Sequence, residues 1–296
     1  MSFFVLVPKN SHLLSPVLAL CAFFGSGAAA APKDYDFAAV TDQIQGWVEK
    51  GYYPGAAIRV VKDGRIVYEK GFGGYTSSTP VALISATKWL EAATVMAVVD
   101  EGKIDLDAPI SRYLPQFSGE KGLITVRQCL SHTSGINSIR LSTPDDQTDS
   151  IAERANQLAA GELKEKPGTR FTYGGNGLAL AGRVAEVATG KPWEILFADK
   201  IAKPCQLKAT TTSMNLWYVQ CHGGAPCAIS TVEDYSHFLE MLVNDGIFRG
   251  TRVLSSHAIQ EMQSDQVRGA DISANPFILK VRGGRHNGVY GFGEWR

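Results

Sequence analysis

The chain has 296 residues, 45% of them hydrophobic, enough to bury a large core in one domain or two lobes. Twenty-nine basic residues balance 29 acidic ones and no basic stripe stands out, which argues against nucleic acid as a partner.

The first segment reads as a secretory signal. Lys9 and His12 precede an apolar run over 13–24, and the small residues of 25–31 offer an A-x-A cleavage site after Ala30. Met1 begins an apolar stretch where a charged start is expected, and Leu20 is too large to make Cys21 a good lipoprotein site. The run is short and broken for a spanning helix, so no stable membrane span is expected. The expected organisation is a signal peptide over 1–30 and one mature domain over 31–296, periplasmic or secreted. Cys129, Cys205, Cys221 and Cys227 remain after cleavage. An oxidising compartment permits disulfides, with Cys221 and Cys227 as candidates and Cys205 as an alternative partner; spacing does not fix the pairing. The spacing is not C-x2-C and His222 lacks a matching second pair, so no metal or organic cofactor is expected.

Phe37, Val40, Ile44, Trp47 and Val48 recur at helical spacing, with Gly51 as a stop. Residues 56–61 and 65–70 flank Lys62-Asp63-Gly64, a hairpin with Asp-Gly turn chemistry. Ser85-Ala86-Thr87-Lys88 then opens an apolar helix that Gly102 ends. Residues three apart share a helix face, so a nucleophilic hydroxyl and an amine are neighbours there. Read without chemistry, Ser85 is a helix start with a solvated lysine one turn on. Ser118-Gly119-Glu120-Lys121 repeats the pattern by chance, in a polar stretch that reads as a loop.

Residues 104–115 read as loop. Thr125 and Gln128 form a capping box, so a short helix starts at Val126 and runs towards His132-Thr133-Ser134-Gly135. A Ser134–His132 pair has no acid partner at any readable spacing, and Gly135 reads as a helix stop. Residues 142–166 are polar with weak helical patterning over 151–163, and Pro167-Gly168 makes a turn. Helices are expected over 178–189, 193–201, from Thr231 to Asp245-Gly246, and over 257–262.

Beyond the tetrad, 99–110 (Val-Asp-Glu-Gly-Lys-Ile-Asp-Leu-Asp-Ala-Pro-Ile), Tyr113-Leu114-Pro115, Leu130-Ser131-His132-Thr133-Ser134-Gly135, Pro167-Gly168-x-x-Phe171-x-Tyr173 and Gly223-Gly224-Ala225 follow in order. Together these motifs resemble the β-lactamase-related serine hydrolases, a family that includes class C β-lactamases, D-alanyl-D-alanine carboxypeptidases and family VIII carboxylesterases. The resemblance covers about 37–296. It implies an α+β fold of the β-lactamase/transpeptidase type: an antiparallel sheet flanked by helices, a mostly helical lobe, and an active site between them. Ser85 matches the acylated nucleophile, Lys88 the amine that activates it, and Tyr173 the tyrosine that exchanges protons with nucleophile and leaving group. Gly175 and Asn176 match the substrate-binding positions.

Three departures qualify the match. Gly175 stands where the family usually has Asn, with Asn176 one residue later, which favours a roomy esterase-like pocket over tight β-lactam recognition. The Lys-Thr-Gly or His-x-Gly strand expected after 289–295 is missing. His286-Asn287-Gly288 and His222-Gly223-Gly224 fit the expression but precede that stretch, and both read as loops. The remaining strands and the last helix would follow Arg296, so the chain is expected to be C-terminally truncated and its sheet incomplete, leaving the N-terminal hairpin without inner neighbours. The leading expectation is a serine hydrolase acting on small-molecule esters or amides. The alternatives are a β-lactamase or D-Ala-D-Ala carboxypeptidase acting on β-lactam or peptidoglycan-type substrates, and a non-catalytic binding relative or inactive fragment.

Overall fold

The computed structural model describes residues 3–4, 35–136, 150–212, 228–273 and 290–295. The chain divides into two compact units, Met1–Thr79 and Pro80–Arg296.

In the first unit, helix α1 (Ala38–Glu49) packs on a sheet of β1 (Phe3–Phe4), β2 (Ala56–Lys62) and β3 (Arg65–Phe72), in the order β1-β2-β3. The hairpin forms as its turn chemistry requires. Asp63 (φ 51°) and Gly64 (φ 71°) are both left-handed, the type I′ geometry whose twist matches the flanking strands. Ile44, Ala56, Ile58, Val60 and Phe72 form the core, with Phe37, Trp47, Val48, Val67 and Tyr68 packed against it. In the uncleaved chain Phe3 and Phe4 pair in parallel with Ile58 and Arg59, which gives the hairpin a neighbour before the expected cleavage after Ala30. These two residues come from within the expected signal segment, whose other residues lie outside the described ones.

The second unit is mostly helical: α2 (Thr87–Asp100), α3 (Gly119–Gly122), α4 (Val126–Leu130), α5 (Ile151–Ala160), α6 (Asn176–Thr189), α7 (Trp193–Phe197), α8 (Val232–Val243) and α9 (Ser256–Gln263). Two ribbons accompany them, β4 (Val81–Ala82) with β5 (Ile229–Ser230), and β6 (Ile247–Phe248) with β7 (Thr251–Arg252). Helix α2 is central. Its residues 87–98 are buried except Trp89, and α6, α7 and α9 pack around it. A helix apolar on every side is a core helix. Side-chain caps start the surrounding helices at Thr125, Ser150, Thr231 and Ser255, and Thr125 and Gln128 form the reciprocal capping box.

Several expectations are corrected. Ser118 does not sit in a plain loop: it precedes the single helical turn α3. Lys121 donates to the carbonyls of Ala159 and Gly161, satisfying the end of α5. The stretch 104–115 contains a 3-10 turn at Ile110–Arg112. Helix α6 begins at Asn176, two residues early, and the helix after Trp193 changes to a π turn at Ala198–Ala202. Cys205 is a free, buried thiol, as is Cys129. Cys221, Cys227, His222 and His286 lie outside the described residues.

Candidate active site

All the described groups of the site belong to the second unit. Ser85 lies in a 3-10 turn (Ile84–Ala86) that runs directly into α2, so Ser85 to Lys88 spans the junction. The turn is tethered by long-range bonds. Leu83 N–H donates to the Ala228 carbonyl at 2.8 Å, and Ala228 N–H donates to Thr87 Oγ1 at 2.8 Å. The buried Tyr235 hydroxyl donates to the Ala86 carbonyl at 3.1 Å. These tethers hold Ile84 at φ 49°, a left-handed conformation that costs a β-branched residue about 1–2 kcal/mol. Ser85 is exposed next to this strained residue, and Lys88 is only 3% exposed. Strain of this kind persists where surrounding contacts over-determine it.

Lys88 meets Tyr173. Its Nζ stands 4.9 Å from the centroid of the Tyr173 ring, within cation–π range. Tyr173 is half-buried in the segment leading into α6, and two neighbours fix that segment: Thr172 N–H donates to the His132 carbonyl and Phe171 N–H to the Asp271 carbonyl. Trp295 stacks on the Tyr173 ring at a centroid distance of 5.8 Å. Gly175 and Asn176, both half-buried, are the residue before α6 and its first residue. Gly177 follows, and a Cβ there would lie 2.5 Å from the Cys129 carbonyl oxygen, so the start of α6 sits hard against α4.

The sequence reading weighed His132 and set it aside as a catalytic residue, and it gave no role to Tyr290 or Glu91. His132 is fully buried at φ 60°, with its ring 4.7 Å from that of Tyr173. Its Nε2 is 3.0 Å from the hydroxyl of Tyr290, itself 1% exposed. Burial, then the nearby Lys88 charge, pushes His132 down to about 3, so it is a neutral imidazole at ordinary pH. Burial first, then the neighbouring Tyr173 and acidic groups, raises Tyr290 well above the usual phenol range, so it stays a hydroxyl. Glu91 lies one turn beyond Lys88 and is 2% exposed; burial raises its carboxyl to about 7 against the opposing pull of Lys88. The signals were present in part. His132 and Tyr290 belong to noted motifs, and Glu91 interrupts an apolar helix.

Residues 290–295 close on the start of α2. At Gly293 (φ 87°) a Cβ would lie 2.6 Å from Trp89 Cα and 2.7 Å from the Lys88 carbonyl oxygen. The site therefore combines an exposed hydroxyl, a buried amine facing a phenol, and a neutral imidazole–phenol pair behind them. Hydroxyl, amine and phenol are the group types that nucleophilic and general acid–base chemistry uses. Among the described residues no group of three His, Cys, Asp or Glu side chains is placed to hold a metal.

The profile of the Beta-lactamase family matches residues 40–295. A β-lactamase candidate from Bacteroides dorei superposes with a TM-score of 0.80 at 38% identity, over 88% of this chain and 79% of that one. A D-stereospecific amidohydrolase from Streptomyces sp. superposes with a TM-score of 0.63 at 27% identity, over 88% of this chain and 82% of that one. Protein flp of Staphylococcus aureus strain MW2 is 29% identical over 185 residues, 55% of this chain and 36% of its own length. The chain thus spans about a third of the length of the flp relatives it matches.

Proposed function

The chain belongs to the Beta-lactamase family, a family of serine hydrolases, and from that membership we propose that it cleaves esters, and amides secondarily, through an acyl-enzyme on Ser85. The observation that carries the proposal is Lys88 Nζ seated over the Tyr173 ring, three residues after an exposed serine. In this reading Tyr173 accepts the Ser85 proton as Oγ bonds the carbonyl carbon. An ammonium beside a phenol stabilises the phenolate, which is the part played by Lys88. When the tetrahedral intermediate collapses, the bond to the leaving oxygen breaks and Tyr173 returns the proton to it. Water then repeats the sequence on the acyl-enzyme, releasing the acid and restoring Ser85. His132, held neutral, serves as a packing and hydrogen-bonding support for the tyrosines rather than as the base.

Gly175 in place of a side-chain amide supports small-molecule esters as substrates, because it leaves the acyl side of the site open. Cleavage of a β-lactam or a D-amino-acid amide is the second reading, supported by the likeness to the Streptomyces D-stereospecific amidohydrolase. A fluorophosphonate probe on the purified full chain tests the proposal. Labelling of the wild type that disappears in Ser85→Ala is the expected result; absent labelling, or labelling that survives the substitution, overturns it and favours a binding relative. Comparing p-nitrophenyl butyrate with nitrocefin then separates the two substrate classes. We also infer export, from the A-x-A site at Ala30, and N-terminal sequencing of protein recovered outside the cytoplasm tests it by starting at Ala31.

A further inference from the structure

We propose that Glu91 is a positioning residue for the Ser85 reaction: from one turn beyond Lys88 it sets a buried carboxyl beside the amine that faces Tyr173. The inference rests on the acyl-enzyme reading above.

Glu91 is a buried acid in a core helix whose other buried residues, apart from Lys88, Thr87 and Thr94, are apolar. A structural carboxyl this deeply buried normally has both oxygens hydrogen-bonded, since an unpartnered one costs stability. Among the described residues Glu91 Oε2 has no hydrogen-bond partner. Packing therefore does not explain it. Its spacing does: positions i and i+3 lie side by side on a helix, about 5–6 Å apart at Cβ. Lys88 occupies the other position and is the charge that acts on Glu91. On the far side Glu91 acts on Tyr290, which bonds His132, whose ring meets Tyr173, whose ring meets Lys88. Contacts thus join Tyr290, His132, Tyr173 and Lys88, and the buried carboxyl acts on the two ends of that row.

Glu294, in the segment that closes on the start of α2, also acts on Tyr290; the charged groups of the helices packed against α2 pair with other partners. Glu261 of α9 pairs with Arg127, Arg183 with Glu186 on α6, and Lys200 of the π turn with Glu101. When Glu91 is ionised, it places a negative charge one turn from the amine that faces Tyr173. When Glu91 takes a proton, that charge is removed. Burial places the exchange at about pH 7.

The test follows the rate of Ser85 phosphonylation by the fluorophosphonate, in which Oγ bonds phosphorus and fluoride leaves, as a stand-in for acylation, against pH. Glu91→Gln keeps shape and polarity but carries no charge. It is expected to abolish a wild-type inflection near neutrality and to slow acylation above it about tenfold or more, the size expected when an opposite charge worth about one to three pKa units is removed. Glu91→Asp is expected to restore the inflection. A Glu91→Gln profile that matches the wild type in rate and shape overturns the proposal. A second readout needs no activity. With carbon-13 carboxyl-labelled glutamate, the resonance lost in Glu91→Gln should titrate near neutral pH, and should move higher in Lys88→Met. Titration in the ordinary carboxylate range, or indifference to Lys88→Met, overturns the proposal. If the wild type takes no label, the acyl-enzyme reading fails, and this titration alone decides whether Glu91 and Lys88 are coupled.

Discussion

His132 Nε2 and the Tyr290 hydroxyl lie 3.0 Å apart although 158 positions separate them in the chain. The contact joins the segment after α4 to the last described stretch, and both touch Tyr173. It also requires a neutral imidazole in a place where a charged one would be costly, which makes the pair sensitive to acid.

The folded protein holds His132 near 3, below its ordinary 6.5, so the unfolded chain binds the proton more readily. Stability is then full above about pH 6.5 and falls as pH drops towards 3, by about 1.4 kcal/mol per pH unit within that window. His132→Asn should flatten this acid limb in urea melts at pH 4 and 7. Asn tolerates φ 60° and carries no group that titrates there.

Glu91 has the opposite sign. Its folded value is raised from 4.5 to about 7, so its favourable contribution is complete below the unfolded value and is lost as pH rises through about 7. Glu91→Gln should therefore match the wild type near pH 4.5 and exceed it at pH 8, by at most about 3 kcal/mol. Denaturant midpoints at the two pH values measure the difference. A gain in stability alongside slower acylation is the signature of a residue kept for chemistry.

Gly293→Ala introduces a Cβ into the backbone of Lys88 and Trp89 and an L side chain at φ 87°. Overpacking and left-handed strain together should cost about 3 kcal/mol. Because α2 must shift to relieve the clash, fluorophosphonate labelling should fall more than stability alone explains. Measuring labelling at a temperature where the variant remains folded separates the two effects.

The second Ser-x-x-Lys provides the control. Lys121 spends its donors on the α5 carbonyls, and Ser118 is exposed. Lys121→Met should destabilise by about 1–2 kcal/mol through the lost charge-assisted bonds and leave wild-type labelling intact. Ser118→Ala should change neither, within about 0.5 kcal/mol.

What was legible in the sequence was local. The Asp63-Gly64 turn, the Thr125–Gln128 capping box and the Thr231 cap are decided by neighbours within four positions, and each formed where expected. The order of motifs carried the fold class, and Lys88 and Tyr173 do come together. The rest depended on tertiary contact. His132 read as half of a Ser–His pair without an acid because its partner Tyr290 lies 158 positions on. Glu91 passed unnoticed because a single acid in an apolar helix becomes unusual only once every face of that helix is seen to be covered. The turn after Ser118 formed against expectation because Lys121 found carbonyls in α5, a contact no local pattern announces.

The two free thiols make the molecule its own reporter of opening. Burial pushes both Cys129 and Cys205 up to about 12, so neither reacts with a thiol reagent while covered. Cys129 lies in α4, where the start of α6 presses on it, three positions ahead of His132, whereas Cys205 lies just past the π turn. Their separate half-lives towards one reagent thus time two events in the native ensemble: the loosening of the layer beneath Tyr173, and the loosening of a different part of the same unit.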